Sequence, residues 1–173
     1  MAHRTFAVLL LIGAAARAET NFGTRGQLVP FGGVSYGHTS AGGNSADQLT
    51  LAPGVFWFPT NGLAIGGSVQ YAYSSGFGGF KVHSLGFEPL VGFAAPIADR
   101  LAFFPRVGMA FAWQFPTAGN STDRIFIDGY APVLFIPTSH FYVGFGPSLA
   151  VDVASSFAKQ TSVGLTTEIG GYF

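Results

Sequence analysis

Ser162-Val163-Gly164-Leu165-Thr166-Thr167-Glu168-Ile169-Gly170-Gly171-Tyr172-Phe173 closes the sequence and alternates with a period of two. Val163, Leu165, Thr167, Ile169, Gly171 and Phe173 form a set without charge, and the residues between them carry the polarity, including Glu168. Successive side chains of an extended strand point to opposite faces, so this stretch reads as a strand with one apolar and one polar side. At a terminus such a strand leaves a row of unpaired backbone groups unless something pairs with it. Pairing with the first strand of the same chain removes that edge and closes the sheet into a barrel.

Upstream, segments of the same kind recur with turn residues between them, and eight are expected in all: 24–36, 47–58, 63–74, 81–94, 101–114, 124–136, 141–154 and 162–173. The clearest is the fifth, where Leu101, Phe103, Val107, Met109, Phe111 and Trp113 alternate with Ala102, Arg106, Gly108, Ala110 and Gln114. The sixth is apolar on both faces, which leaves its register open. Thr60-Asn61-Gly62 reads as a three-residue hairpin loop with Gly62 in the left-handed position, which sets Trp57 opposite Ile65 and Val55 opposite Gly67. The gaps at 37–46, 75–80, 115–123 and 155–161 are long and rich in Gly, Ser, Thr and Asn. Those at 59–62, 95–100 and 137–140 are short and contain Pro.

Composition says what surrounds this sheet. Of 173 residues only 9% are charged, 25 are Gly and 19 are Phe, and the mean hydropathy is +0.41. Met1-Ala2-His3-Arg4, the apolar run from Phe6 to Ala16 and the small-x-small sequence Ala16-Arg17-Ala18 are the three parts of a secretory signal. Residues 1–18 are therefore expected to be a signal peptide and 19–173 one β-barrel domain. Loss of Arg4 and Arg17 leaves 6 basic against 8 acidic residues, a formal charge of −2, with no basic cluster for nucleic acid. The absence of Cys excludes disulfides, thiol chemistry and Cys-ligated metals. High hydropathy without a helix-spanning run leaves a closed barrel as the membrane solution, because lipid offers no partner to unpaired backbone groups. The expected fold is all-β, an eight-stranded antiparallel up-and-down transmembrane β-barrel.

The two strand faces give the sense of that barrel. Glu88 and Arg106 share a face with Gly, Ala and Ser, while Phe, Leu, Val and Trp collect on the other. A soluble ligand-carrying barrel has the reverse arrangement. If Phe93 pairs with Leu101 in the fourth hairpin, Glu88 faces Arg106 as a lumen ion pair that fills the interior. Closure in register offers a second contact, a barrel-closure pair of Arg25 with Glu168. Trp57, Tyr71, Tyr73 and Trp113 fall near strand ends, as interfacial aromatics do. Pro30, Pro53, Pro89, Pro105, Pro132 and Pro147 lie within the expected strands, and their recurrence points to a shared girdle of bulges.

The sequences Leu51-Ala52-Pro53-Gly54-Val55-Phe56-Trp57-Phe58-Pro59-Thr60-Asn61-Gly62-Leu63-Ala64-Ile65-Gly66-Gly67-Ser68 and Tyr142-Val143-Gly144-Phe145-Gly146-Pro147-Ser148 resemble strand–turn–strand units of the small outer-membrane β-barrel superfamily, the OmpA/OmpX-like group. The last strand, ending in Phe173, resembles the assembly signal that the barrel-assembly machinery reads in such proteins. The resemblance implies an outer-membrane location, contact with its lipids and both termini in the periplasm. It also implies short periplasmic turns, longer outer loops and a lumen filled by side chains, and it supplies no cofactor and no extracellular partner. The role expected is structural or one of surface interaction.

Two alternatives stand beside it. His38-Thr39-Ser40 resembles the His-x-Ser of PagL-type lipid A deacylases, where His, Ser and an acid form a hydrolytic triad. Here it is expected in the first loop, with no acid placed by the sequence; an enzyme of that class would bring Ser40 and a carboxylate to His38. A narrow channel is the other alternative, with conductance that rises when Arg106 is made Ala. His83-Ser84 and Ser139-His140 read as rim and turn residues, and Asp123 and Asp128 as rim aspartates. No catalytic, cofactor-binding or metal-ligating residue is assigned, since no His spacing supports a metal site.

Overall fold

The alternation is realised as eleven strands in a computed structural model, which describes residues 21–41, 44–76, 81–117, 120–155 and 161–173. The expected signal peptide lies outside the described residues. In order the strands are β1 (Leu28–Ala41), β2 (Asn44–Trp57), β3 (Leu63–Ser75), β4 (Lys81–Phe93), β5 (Ala95–Ala98), β6 (Leu101–Phe103), β7 (Arg106–Pro116), β8 (Thr122–Tyr130), β9 (Val133–Thr138), β10 (Phe141–Ser155) and β11 (Thr161–Gly171). β5 prolongs β4, β6 and β7 are halves of one stave, and β8 and β9 are halves of another. The wall is thus an eight-stranded antiparallel barrel, closed where β11 pairs with both β10 and β1.

Proline accounts for the interruptions. Pro105 stands between β6 and β7 and Pro132 between β8 and β9, where a residue without an N–H cannot donate to the ladder. The sheet is stitched around them by backbone bonds from Phe93 N to the Pro105 carbonyl (2.9 Å), from Phe104 N to that of Pro132 (3.0 Å) and from Ala131 N to that of Pro147 (3.0 Å). At Pro53 the β2–β3 register passes from Leu51↔Tyr71 to Gly54↔Ser68, and at Pro89 the β4–β7 register passes from Phe87↔Phe111 to Leu90↔Gly108. The prolines do not form the single girdle expected of them. Pro30 and Pro89 share a row through Val55 and Gly67, Pro53 sits opposite Gly32 above it, and Pro105 is level with Phe93 below it.

Two hairpins differ from their expected form and one matches it. Gly62 has φ +83°, with Trp57 opposite Ile65 and Val55 opposite Gly67, as its loop requires. Gly62→Ala puts a Cβ on that left-handed backbone and 3.0 Å from the Phe93 ring. It is expected to lower stability by about 1–2 kcal/mol, read as a lower urea midpoint. The first hairpin is longer than expected: strand continues through His38 to the pair Ala41↔Asn44. In the fourth, the chain stays extended beyond Ala94, so the turn falls at Asp99 and Arg100 and pairs Ala95 with Phe103. That moves the whole β4–β7 register by four residues from the expected one, with Gly92 opposite Arg106.

The end carrying the short turns and both described termini is filled with aromatic rings. Phe22, in the turn that precedes β1, meets Phe58, Phe104, Tyr142 and Tyr172 edge-on at centroid separations of 5.4–5.7 Å. This geometry sets positive ring edges against negative faces. Val29, Phe56, Ala64, Leu90, Ala94, Ala102, Leu134 and Ile136 pack with them in the core. The small, polar interior read from the sequence is present only above this layer. On the outside an apolar face, interrupted by Asp123 opposite Trp113, is bounded at the lower end by Trp57, Phe93, Phe103, Phe135, Phe141 and Phe173. Higher up it passes through the row Val34↔Leu51↔Tyr71↔Leu85↔Trp113 and the row Tyr36↔Leu49↔Tyr73↔His83↔Phe115. The next row, His38↔Asp47↔Ser75↔Lys81, is polar.

Candidate functional site

Inward positions of β4, β7, β8 and β11 bring Glu88, Arg106, Asp128 and Glu168 to one level, directly above the aromatic core. Arg106 pairs with Glu168: Nη1 donates to Oε1 at 3.0 Å and Nη2 donates to Oε2. The two-pronged match of guanidinium to carboxylate is the strong form of this interaction. The guanidinium also lies over the rings of Tyr130 (4.6 Å), Phe31 (5.0 Å), Phe56 (5.4 Å) and Phe104 (5.8 Å), so the aromatic layer supplies cation–π contact from below.

Neither ion pair drawn from the sequence is formed. The four-residue shift takes Arg106 away from Glu88, which instead accepts hydrogen bonds at Oε2 from Ser68 Oγ (2.8 Å) and Gln70 Nε2 (2.7 Å). Arg25 precedes β1 and is exposed; its backbone N–H donates to Asn61 Oδ1 at 2.8 Å, while the seam register places Glu168 well above it. Glu168 nevertheless belongs to the lumen ion network, with Arg106 as its partner from across the barrel. Asp128, read as a rim residue, points inward opposite Gly108. A Cβ on Gly108 would come within 2.7 Å of Glu88 Oε1 and 3.0 Å of Asp128 Oδ1, so the two acids converge on one point of the wall. Higher in the lumen Arg124 donates to Asp152 Oδ2 from Nε (3.3 Å) and Nη2 (2.9 Å). Between these layers lies an inner cavity of about 260 Å³.

The second cluster is on the outside. His38 Nδ1 lies 2.7 Å from Asp47 Oδ1, which also accepts the Tyr36 hydroxyl at 2.7 Å. Asp47 stands above the apolar band in contact with water, and the hydrogen bonds from His38 and Tyr36 hold its carboxyl below the usual carboxylate range. Ser40 follows two residues after His38 on β1, opposite Ser45; its side chain lies outside the described residues. The sequence reading missed Asp47 because it took residues 37–46 for a loop. Reading Gly42-Gly43 as a two-residue turn would have paired His38 with Asp47 directly. On neighbouring strands the Tyr71 hydroxyl meets His83 Nδ1 at 2.9 Å, and the Tyr73 ring lies 5.1 Å from the His83 ring.

Ser139 Oγ and His140 Nδ1 are 2.9 Å apart in the short turn before β10. Asp123 faces outward opposite Trp113 and Asp128 faces inward, so the strand separates them. Among the described residues no group of three His, Cys, Asp or Glu converges as a metal site. Phe173, expected as an assembly signal, exchanges backbone hydrogen bonds with Leu28 (3.0 and 3.1 Å) and leaves its ring exposed. No protein-family model matches the chain, and no curated protein matches it significantly.

Proposed function

We propose that this is a small integral outer-membrane β-barrel protein of the OmpA/OmpX-like kind, with a structural or surface-contact role and a lumen filled by side chains. The observation that carries the reading is the outward band of Phe, Leu, Val, Trp and Tyr around a barrel whose Arg106–Glu168 and Arg124–Asp152 pairs are turned inward. From His83 to Phe93 the band covers roughly 33 Å of strand, which at a tilt of about 40° is ~25 Å along the barrel axis, the height of an outer-membrane apolar belt. Lipid removes the penalty that water would impose on so much exposed apolar surface. Membrane lipids and the barrel-assembly machinery are the partners this implies, with both termini in the periplasm. Folded protein in detergent is expected to migrate differently on gels before and after boiling; identical mobility would count against a stable barrel.

Phe173 links this reading to assembly. Deleting it removes both hydrogen bonds to Leu28 at the seam as well as the terminal aromatic ring. Outer-membrane levels of the deletion variant are expected to fall sharply, while protein refolded from urea into detergent still forms the heat-modifiable species. Normal membrane levels would remove Phe173 from the assembly signal.

A second reading, lipid hydrolysis at the outer leaflet, is favoured by one observation: Asp47 holds His38 from the Nδ1 side. That leaves Nε2 to take the Ser40 hydroxyl proton as Oγ attacks an ester carbonyl. The proton then passes to the departing alcohol, and water releases the acyl group from Ser40. In this reading the purified protein frees fatty acid from an acylated glycolipid, and H38A, S40A and D47N each lower the rate by about 10⁴-fold. No release by the unaltered protein rules the reading out.

A further inference from the structure

The barrel wall is not equally continuous all the way round. Among the described residues β1 and β11 pair at Phe31↔Gly170 and Gly32↔Ile169, above the Leu28–Phe173 hydrogen bonds. Higher than Gly32 no pairing joins them, although β1 is paired with β2 up to Ala41 and β11 with β10 up to Thr161. The exposure reports the gap: Val163 is 77% exposed, Leu165 71% and Val34 73%, beyond the apolar residues of the continuous wall. A side cavity of about 810 Å³ occupies it. This slot shares Gly32, Gly33, Ala52, Thr167 and Glu168 with the inner cavity, so the two meet.

The slot is graded in polarity from outside to inside. Val34, Leu51, Pro53, Val143, Thr167 and Ile169 line its outer part; Glu168 stands at its inner end, beyond which come Thr166, Ser148 and Tyr130. Below the inner cavity the Arg106–Glu168 pair and the aromatic core form a floor. A molecule in that cavity therefore has the slot at its side and no way through beneath. The cavity lining sets Glu88, Asp128 and Glu168 against Arg106, which favours an uncharged or cationic group over an anion.

We propose that the slot is a lateral binding site for a single-chain amphiphile. Its uncharged or cationic hydrogen-bonding head sits in the inner cavity, and its alkyl chain passes between β1 and β11 into the surrounding lipid. The inference rests on the membrane reading given under the proposed function. It adds a ligand class and a place of entry that the filled lumen alone does not imply.

The two native tryptophans, Trp57 and Trp113, lie on the outer face, so a lumen probe can be made unique by the changes W57F, W113F and T166W. Thr166 lines the inner cavity and is exposed, which leaves room for an indole. The protein is placed in vesicles of ordinary phosphatidylcholine, and dodecyl maltoside brominated on its chain is added below the solubilising concentration. The T166W emission is expected to be largely lost, and G33F in the same background is expected to restore it. Gly33 faces the lumen where the slot meets the inner cavity, and a Cβ on it meets nothing within 4 Å, so a phenyl ring there fills that junction without displacing the wall. Unchanged T166W emission, or equal quenching with G33F, would overturn the proposal. So would cross-linking that yields a dimer abolished by G33F, because a second copy would then cover the free edges. As a control, unaltered protein in vesicles of brominated phosphatidylcholine should lose its Trp57 and Trp113 emission. Failure of that control counts against the membrane reading, whereas a working control with a silent T166W counts against the slot alone.

Discussion

Arg106→Ala is expected to lower folding stability by about 3–5 kcal/mol, because it leaves Glu168 buried as an uncompensated charge. Glu168 is only 5% exposed, and both its oxygens are engaged by the guanidinium. The loss has a second component: the Phe31, Phe56, Phe104 and Tyr130 rings lose the cation they surround. Urea titration of refolding into vesicles reads the change as a lower midpoint at unaltered slope. The double change R106M/E168M removes both charges together and is expected to recover most of the stability, as apolar replacement of a buried pair often does. If R106A alone is as stable as the parent, Glu168 is not confined to a dry layer.

Phe104→Ala is the second large effect, about 3–5 kcal/mol for a fully buried ring truncated in a packed core. Phe104 is 0% exposed and touches the Phe22, Phe56 and Phe58 rings at centroid distances of 5.4, 5.1 and 6.0 Å. It also stands at the break between β6 and β7, with its N–H tied to the Pro132 carbonyl of the neighbouring stave, so little backbone can move in to fill the space. The residual void sits in the floor of the lumen. F104A is therefore expected to raise bilayer conductance above that of the parent as well as lower the urea midpoint. A variant that loses stability while remaining fully non-conducting would assign closure to the Arg106–Glu168 layer above.

The fold was legible where alternation was strict. The hairpin around Gly62 came out at residue level, because one left-handed glycine and a fixed loop length determine which residues face each other. The Arg106 partner did not, because register across the fourth hairpin depended on where the turn began. Ala95-Pro96-Ile97-Ala98 has a proline and reads as a turn, yet it extends as β5 against β6. A four-residue error preserves which face each side chain takes, so Glu88 and Arg106 were correctly placed inside but wrongly paired. Phe22 was invisible for another reason: it belongs to no strand, and its burial depends on a turn folding back under the barrel. Asp128 was hidden by a strand apolar on both faces, where alternation carries no sense of inside and outside.

The most direct test of the account is where Trp57 and Trp113 sit, one toward each end of the outward apolar band. In vesicles whose phosphatidylcholine carries bromine on the acyl chains near the headgroup, emission from both tryptophans should be strongly quenched. Quenching should weaken as the bromines are moved toward the bilayer centre. Emission indifferent to bromine at every depth would contradict the claim that this band faces lipid.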